Sequence, residues 1–276
     1  MDLSLQVLAS TMYQTDFNSP QKMNLHSDAI LINQCERNEF REIEYNGYHI
    51  DFLSFHERGV GLSRNSALMR AKADICLFAD EDIVYVDNYS QLVKNAFHQN
   101  KKADVIVFNV PSLNTGRPTA NIIKNRRCHI WNCLRFGAVN IAVRRSAILK
   151  ANIFFSLLFG GGAVYSSGED SLFLIDCLKA GLRVYMSKEV IAHVKQEGSF
   201  WFTGYTEKYF LDKGAFACCA FGFHAYLFCL QFALRKYASF KRDIRFFQAC
   251  ILMFTGIRAF LHSDLGVAAK NNIDVK

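Results

Sequence analysis

The sequence predicts an α/β protein with a mixed, mostly parallel sheet flanked by helices and a helical extension at the C-terminus. Apolar runs of strand length alternate with segments of helical spacing over most of the chain, which is typical of three-layer α/β domains. Hydrophobic residues make up 51% of the 276 residues, enough for a substantial core. After position 214 the composition changes to long apolar stretches with basic residues between them. We therefore predict two domains, residues 1–214 and residues 215–276.

Four apolar runs predict the first half of the sheet. Residues 3–9 and 28–32 are short and continuous, as in buried parallel strands. Residues 49–55 alternate apolar and polar side chains, which predicts a third strand. A predicted helix over residues 62–73 leads into the fourth strand, which ends at Asp80.

The same alternation continues through the rest of the predicted first domain. Residue spacing predicts helices over 88–100 and 145–151. A further helix is predicted from Glu169 to Gly181, because a glycine suits the residue after a helix end. The strands predicted around these helices cover residues 103–110, 136–143 and 182–187.

Three consecutive acids, Asp80, Glu81 and Asp82, follow the fourth predicted strand. Ligands of open α/β sheets bind beyond the carboxyl ends of the strands, and hard divalent cations take oxygen ligands. Alternate residues of an extended backbone share a face, so Asp80 and Asp82 are expected to point the same way. The triplet fits either a solvated acidic turn or a cation site that bridges to phosphates.

A glycine-rich helix start, residues 59–64, lies upstream of the acids. Arg64 stands where a dinucleotide fingerprint has Gly or Ala, so we reject an NAD site. A helix N-terminus with an arginine in its first turn suits phosphate binding. An exposed arginine on a capped helix fits the same pattern.

Two further polar features lie later in the chain. Glu169 and Asp170 begin a predicted helix that follows the glycines at 160–162 in the sequence. Such a pair can complement the helix dipole, and a carboxylate at that place also suits a general base. His193 fits a core or surface histidine as well as a metal ligand.

Composition indicates a reducing compartment. The nine cysteines are an odd number without zinc-ligand spacing, as expected of a cytoplasmic protein. The first ten residues do not form a signal-peptide pattern. The net charge of +7 fits nucleic acid, an anionic membrane surface or a polyanionic substrate.

The predicted C-terminal domain has two apolar stretches on either side of a basic segment. Residues 215–234 contain no formally charged side chain apart from a possible His224, and residues 246–261 form the second stretch. Helices lying in a membrane interface fit this pattern. A buried helical subdomain, a homodimer face and a membrane-spanning helix are the alternatives.

Together, residues 3–214 resemble the inverting family-2 glycosyltransferases of the GT-A fold. The resemblance is carried by GVGLSRNSALMRAKADICLFADEDIVYVDNY, by GGGAVYSSGEDSLFLIDCLKAGLRVY about ninety residues later, and by IAHV. In that family a G-x-x-x-x-R-N helix precedes a metal-binding D-x-D strand, and an E-D pair follows. The resemblance implies a Rossmann-like nucleotide-sugar domain. It also implies transfer of a hexose, with UDP as the expected nucleotide, to a glycan or lipid-linked oligosaccharide in bacterial surface-polysaccharide synthesis.

The resemblance also implies site roles. Asp170 is the expected general base, with Glu169 beside it, and Mn²⁺ or Mg²⁺ is expected on Asp80, Asp82 and His193. The chain departs from the family pattern after its first two strands, where Ser10-Thr11 and Asn33-Gln34 replace the usual residues. The expected donor contacts are Ser10, Thr11, Asn33, Gln34, Arg64, Asn65, Asp80 and Glu81.

The expected reaction is a single displacement at the anomeric carbon, in which Asp170 deprotonates the acceptor hydroxyl. Two other classes remain open. A metal-dependent nucleotidyltransferase would share the metal-bound carboxylates but release diphosphate from a nucleoside triphosphate, and a carbohydrate- or lipid-binding module would lack turnover. We expect a nucleotide sugar, a glycan acceptor and an anionic membrane as partners, with no nucleic acid, and a peripheral location on the cytoplasmic face.

Overall fold

The computed structural model describes residues 2–196 and 204–263. These belong to two compact units, one made of residues 1–157 and 169–199 and the other of residues 158–168 and 200–276. The predicted boundary between residues 214 and 215 falls inside a helix, and the compact units divide the chain at other positions. The division into a catalytic domain, 1–214, and a C-terminal region, 215–276, stays a prediction. Residues 264–276 lie outside the described residues.

The first unit is built on a nine-stranded mixed sheet. Its strands and those of a separate ribbon are β1 (Leu5–Met12), β2 (Asp28–Gln34), β3 (Glu39–Tyr45), β4 (Tyr48–Phe55), β5 (Ile75–Asp80), β6 (Ile83–Tyr85), β7 (Val105–Asn109), β8 (Arg126–Arg127), β9 (Ile141–Arg144), β10 (Val184–Val190) and β11 (Ala192–Val194). The order in the sheet is β3-β4-β2-β1-β5-β9-β7-β10-β8, and β6 pairs with β11 in the ribbon. The pairs β4–β2, β2–β1, β1–β5 and β7–β10 are parallel and the other four pairs are antiparallel. Six of the nine strands therefore run in the same direction, which confirms the mixed, mostly parallel sheet.

Helices flank this sheet and form the second unit. They are α1 (Ser19–Lys22), α2 (Val60–Arg70), α3 (Tyr89–Gln99), α4 (Ile130–Cys133), α5 (Arg145–Lys150), α6 (Glu169–Lys179), α7 (Glu207–Phe221), α8 (Ala225–Phe240) and α9 (Phe246–His262). In the first unit α2 packs on β1 and β2, while α3 and α6 contact β10. The helix predicted to begin at Glu169 is α6, and Gly181 after it has the positive φ of 78° that favours glycine there.

Two features of the sheet differ from the sequence prediction. The edge strand β3 was not expected, because its charged residues mask any apolar run; charge on an edge strand also discourages pairing with other chains. The strand predicted over 136–143 is a 3₁₀ turn at Ala138–Asn140 followed by β9. Strand β9 lies antiparallel between β5 and β7, a direction that local periodicity does not encode.

Glycines allow close packing of two helices in the second unit. Gly214 of α7 and Gly256 of α9 lie against the partner backbone, where an added Cβ would overlap the carbonyl oxygens of Met253 and Leu211. Because a side chain has no room at either position, α7 and α9 approach more closely than larger residues would allow.

The stretch Glu207–Phe240 is long and apolar enough to cross a membrane by length and composition alone, and 39% of its most apolar window is buried within the protein. It comprises α7, a 3₁₀ turn over Gly222–His224 and α8. Gly222 has a φ of 51° and interrupts the helix. At about 1.5 Å per residue, α7 and α8 are each shorter than the roughly 30 Å of a bilayer core.

Candidate active site

Arg64 is the centre of a cluster of carboxylates in the first unit. Its side chain is only 3% exposed. One amino group donates to Asp170 Oδ1 at 2.6 Å and to Glu169 Oε1 at 3.1 Å. The other lies 2.9 Å from Asp80 Oδ1 and 3.3 Å from Asp80 Oδ2. The arginine therefore joins the end of β5 to the first turn of α6.

This arrangement follows from where each element begins or ends. Asp80 is the last residue of β5, at the carboxyl edge of the sheet. Glu169 and Asp170 form the first turn of α6, where acids complement the helix dipole. The capping interpretation and the functional one therefore do not exclude each other. Arg64 lies near the start of α2 and contacts all three carboxyl groups.

The charges in the cluster do not balance. Burial lowers the pKa of Arg64, but Asp170, Asp80 and Glu169 raise it more, so the guanidinium stays charged. Burial raises the pKa of Asp170 to about 8; Arg64 opposes this shift, and Glu169 and Asp80 add to it. One cation faces three acids, so a proton on Asp170 relieves their repulsion. A carboxyl group that exchanges its proton near neutral pH suits general-base catalysis.

Asp82 and Glu81 differ in their surroundings. Burial, and next the charge of Asp80, raise the pKa of Asp82. Glu81 Oε2 accepts hydrogen bonds from the Met12 backbone N–H at 3.0 Å and from Gln14 Nε2 at 2.9 Å. Glu81 thus ties down the loop after β1, while Asp80 and Asp82 lie close enough to repel each other.

The donor atoms of Asp80 and Asp82 fit a hard divalent cation. Both offer carboxylate oxygens, the ligand type that Mg²⁺ and Mn²⁺ prefer, and a cation would relieve the repulsion that raises the pKa of Asp82. His193 lies on β11 opposite Val84 of β6. Among the described residues, these three do not bring ligand atoms within 4.8 Å of one another, so His193 as a third ligand stays a prediction.

The ends of β1 and β2 lie beside Asp80. In the sheet register, Ser10 is level with Asp80 on one side and with Ile32 on the other. Ser10 Oγ accepts a hydrogen bond from Ser63 Oγ at 2.9 Å, and Thr11 Oγ1 donates to the Ile32 carbonyl at 3.3 Å. Ser10 and Thr11 therefore lie at the expected edge, and their contact with a donor stays a prediction.

Asn33 and Gln34 brace the loops at the same edge. Asn33 is fully buried and bonds both backbone groups of Gln14 as well as Ser54 Oγ. Gln34 Nε2 donates to the Gly59 carbonyl at 3.0 Å, at the N-terminus of α2. These bonds give both amides structural roles, and the expected donor contacts stay predictions.

Asn65 of α2 holds the backbone of Phe155 through two hydrogen bonds. Its Nδ2 donates to the Phe155 carbonyl at 2.9 Å and its Oδ1 accepts from the Phe155 N–H at 2.8 Å. Phe155 was not identified from the sequence, yet its ring lies under the Arg64 guanidinium at 5.3 Å and stacks on Phe173 at 4.3 Å. A Cβ on Gly61 would come within 2.5 Å of the Ser156 carbonyl oxygen, so that position requires glycine.

The mixed sheet, its parallel core and the flanking helices define the GT-A glycosyltransferase fold. Staphylococcus aureus TarS shares it. TarS residues 1–349 in complex with UDP-GlcNAc align over 88% of this chain and 76% of that chain, with 17% identity and a TM-score of 0.63. The same TarS fragment with UDP aligns over 88% of this chain and 76% of that chain, with 16% identity and a TM-score of 0.58. A structure of TarS covering more of that protein aligns over 85% of this chain and 44% of that chain, with 16% identity and a TM-score of 0.59.

At these identities the likeness establishes the fold. The sequence matches no protein-family model and no curated protein.

Proposed function

We propose that this chain is an inverting glycosyltransferase that moves a hexose from a nucleotide-diphosphate sugar, with UDP as the nucleotide, to a hydroxyl of a glycan or lipid-linked oligosaccharide. The observation that carries the proposal is the Arg64 cluster, which links Asp170 to Asp80 at the carboxyl edge of a GT-A sheet. The TarS complexes with UDP-GlcNAc and UDP support a UDP-sugar donor. Synthesis of a bacterial surface polysaccharide is the process we propose for it.

In the proposed reaction Asp170 takes the proton of the acceptor hydroxyl. The hydroxyl oxygen forms a bond to the anomeric carbon as the bond from that carbon to the diphosphate oxygen breaks, which inverts the anomeric centre. Asp80 and Asp82 would hold the Mn²⁺ or Mg²⁺, whose chemistry when bound is to neutralise charge on the diphosphate. We propose that the nucleotide binds at this edge, beside Ser10 and Thr11; contacts from the other predicted donor residues stay predictions.

Arg64 orients the base in this proposal. Its bond to Asp170 Oδ1 holds that carboxyl group against rotation, and a hydrogen bond from the Ala138 backbone N–H adds to this restraint. An ionised carboxyl group has about four lone-pair sites, so one can still accept the proton of the acceptor hydroxyl. Glu169 shares the guanidinium and adds negative charge that raises the pKa of Asp170. Glu169 therefore acts on the base through Arg64 and through its charge.

The test is hydrolysis and transfer with a panel of nucleotide sugars, measured with and without Mn²⁺. The expected result is slow metal-dependent hydrolysis of one UDP-sugar in water, and faster UDP release with a glycosylated product when a glycan acceptor replaces water as the nucleophile. Release of diphosphate from a nucleoside triphosphate instead would identify a nucleotidyltransferase. Saccharide binding without turnover of any nucleotide sugar would identify a binding module.

We also propose that the second unit attaches to an anionic membrane surface, which would place the enzyme on the cytoplasmic face. Phe223, Leu227 and Leu234 are 94%, 67% and 64% exposed. With Leu230 they follow the spacing of one helix face. At about 1.5 Å per residue, α8 and α9 are each shorter than the roughly 30 Å of a bilayer core. The basic residues that follow this face in the sequence suit anionic headgroups: Arg235, Lys236, Lys241, Arg242 and Arg245.

A further inference from the structure

A cleft of about 290 Å³ lies in the first unit between α3 and β10. Its lining extends to Ile106, the second residue of β7, and includes neither Asp80 nor Asp170. The cleft is therefore separate from the Arg64 cluster. Its volume is close to the lower limit of about 300 Å³ for ligand sites, which suits one or two small rings.

The cleft has an apolar floor. Leu92 and Ala96 of α3 are one turn apart and line the cleft together with Ile106. Tyr185 of β10, which is half-buried, adds an aromatic ring. A flat ligand with an apolar face can stack against such a surface.

The rim of the cleft is rich in side-chain amides with unused hydrogen-bonding capacity. Asn95 Oδ1 accepts from Gln91 at 2.7 Å, and Asn125 Oδ1 accepts from the Lys188 N–H at 2.8 Å. Within residues 2–196 and 204–263 neither amide nitrogen has a hydrogen-bond partner, and the Gln99 amide has none at either end. Several donors and an acceptor thus surround an apolar floor.

We propose that this cleft binds a saccharide. A sugar hydroxyl both donates and accepts hydrogen bonds, and a side-chain amide does the same. A pyranose ring also has a C–H face that stacks on an aromatic ring such as Tyr185. Free phosphate is a poorer match, because Arg126 is the one cation lining the cleft and Glu189 is there as well.

The role of this saccharide site rests on the proposed glycosyl transfer. A glycan long enough to reach from the transfer centre to the cleft would be held during successive additions. Loss of the cleft contact would then shorten the products without changing the rate of a single addition to a short acceptor.

The experiment measures saccharide binding without nucleotide, by saturation-transfer NMR with N-acetylglucosamine and cellobiose. The variant Asn95→Ala/Gln99→Ala removes two rim amides, and alanine preserves the helix. His98→Ala, an exposed change on α3 that does not line the cleft, is the matched control. We expect millimolar binding to wild type and to the control, and affinity about fivefold weaker for each rim amide that binds the sugar.

Three outcomes would overturn the saccharide site: wild type that binds neither sugar, unchanged affinity in a correctly folded double variant, or displacement of the sugar by equimolar inorganic phosphate. A sugar that binds only at the transfer centre would leave the affinity of the double variant unchanged. Because no nucleotide is present, these results are independent of turnover. Nucleotide-sugar hydrolysis tests the proposed function separately, so each proposal can fail alone.

Discussion

Arg64 and Asp170 form a 2.6 Å hydrogen bond across 106 residues of sequence. The same guanidinium reaches Asp80 and Glu169, so one buried cation holds three acids from two elements. Burial makes each of these charges dependent on the others, since an unpaired charge in this site would have little solvent to stabilise it.

The first prediction concerns Arg64. Arg64→Ala leaves three carboxyl groups without their cation, and removal of one partner of a buried ion pair costs about 3–5 kcal/mol. We expect a lower free energy of unfolding in urea denaturation and loss of transfer. Arg64→Lys retains the charge but loses the planar fork, so it should fold better and still transfer slowly. Wild-type stability and activity in both variants would show that the cluster has no such role.

The second prediction concerns Asp170. Asp170→Asn keeps a group that accepts a hydrogen bond from Arg64 but cannot take a proton from the acceptor. Transfer should fall about 10²–10⁴-fold while UDP binding, measured by calorimetry, changes little. Asp176→Asn, an exposed change on the same helix, is the control. Near-normal transfer in Asp170→Asn would exclude it as the base.

The third prediction is the pH dependence of transfer. Asp170 acts in its ionised form and burial raises its pKa to about 8, so kcat/KM should rise with pH up to that value and then level off. Asp80→Asn removes a charge that raises this pKa, and should move the rising limb to lower pH in whatever activity remains. A profile already flat from pH about 5 would contradict the raised pKa.

The same shift predicts the stability trend. A folded-state pKa above the unfolded value of about 3.9 means that the folded protein binds the proton more tightly. The contribution of Asp170 to stability is therefore complete at acidic pH and is lost as pH rises through its folded pKa. Asp170→Asn should reduce the fall in melting temperature between about pH 4 and about pH 8, the range between the unfolded and folded pKa values; an unaltered fall would contradict this linkage.

The fourth prediction concerns the proposed cation. Asp82→Ala should weaken UDP-sugar binding about tenfold or more when Mn²⁺ is present, because the cation links this carboxylate to the diphosphate. Binding in EDTA should be equal in variant and wild type. Asp87→Asn, which removes an exposed carboxylate five residues further along the chain, serves as a control. Equal affinity of Asp82→Ala and wild type in Mn²⁺ would argue against a cation at this position.

The fifth prediction concerns the exposed face of α8. Leu227→Asn/Leu234→Asn should lower binding to phosphatidylglycerol vesicles, at about 1–3 kcal/mol for each apolar side chain no longer inserted. Ile123→Asn, which changes a side chain that is 76% exposed in the other unit, is the control. Cosedimentation measures the effect. If the wild-type protein does not bind the vesicles and forms a dimer in analytical ultracentrifugation, this face mediates self-association instead.

Much of the fold could be predicted from periodicity, because strands such as β2 and β5 are continuous apolar runs and β4 alternates. Strand β3 could not, because its exposed edge is charged and its place in the sheet comes from pairing with β4. The sequence placed Arg64 near a helix start, but it was equally consistent with an exposed arginine on a capped helix, so it did not predict that Arg64 is buried.

The sequence by itself determined most of the segments that become strands and helices and that Asp80, Asp82 and Asp170 lie at element ends, because those properties depend on local spacing. Only the tertiary structure decided that Arg64 is buried against Asp170, Glu169 and Asp80, and that Phe155 lies beneath it. The physical reason is that the energy of a buried charge depends on the groups that face it, and these come from distant parts of the chain.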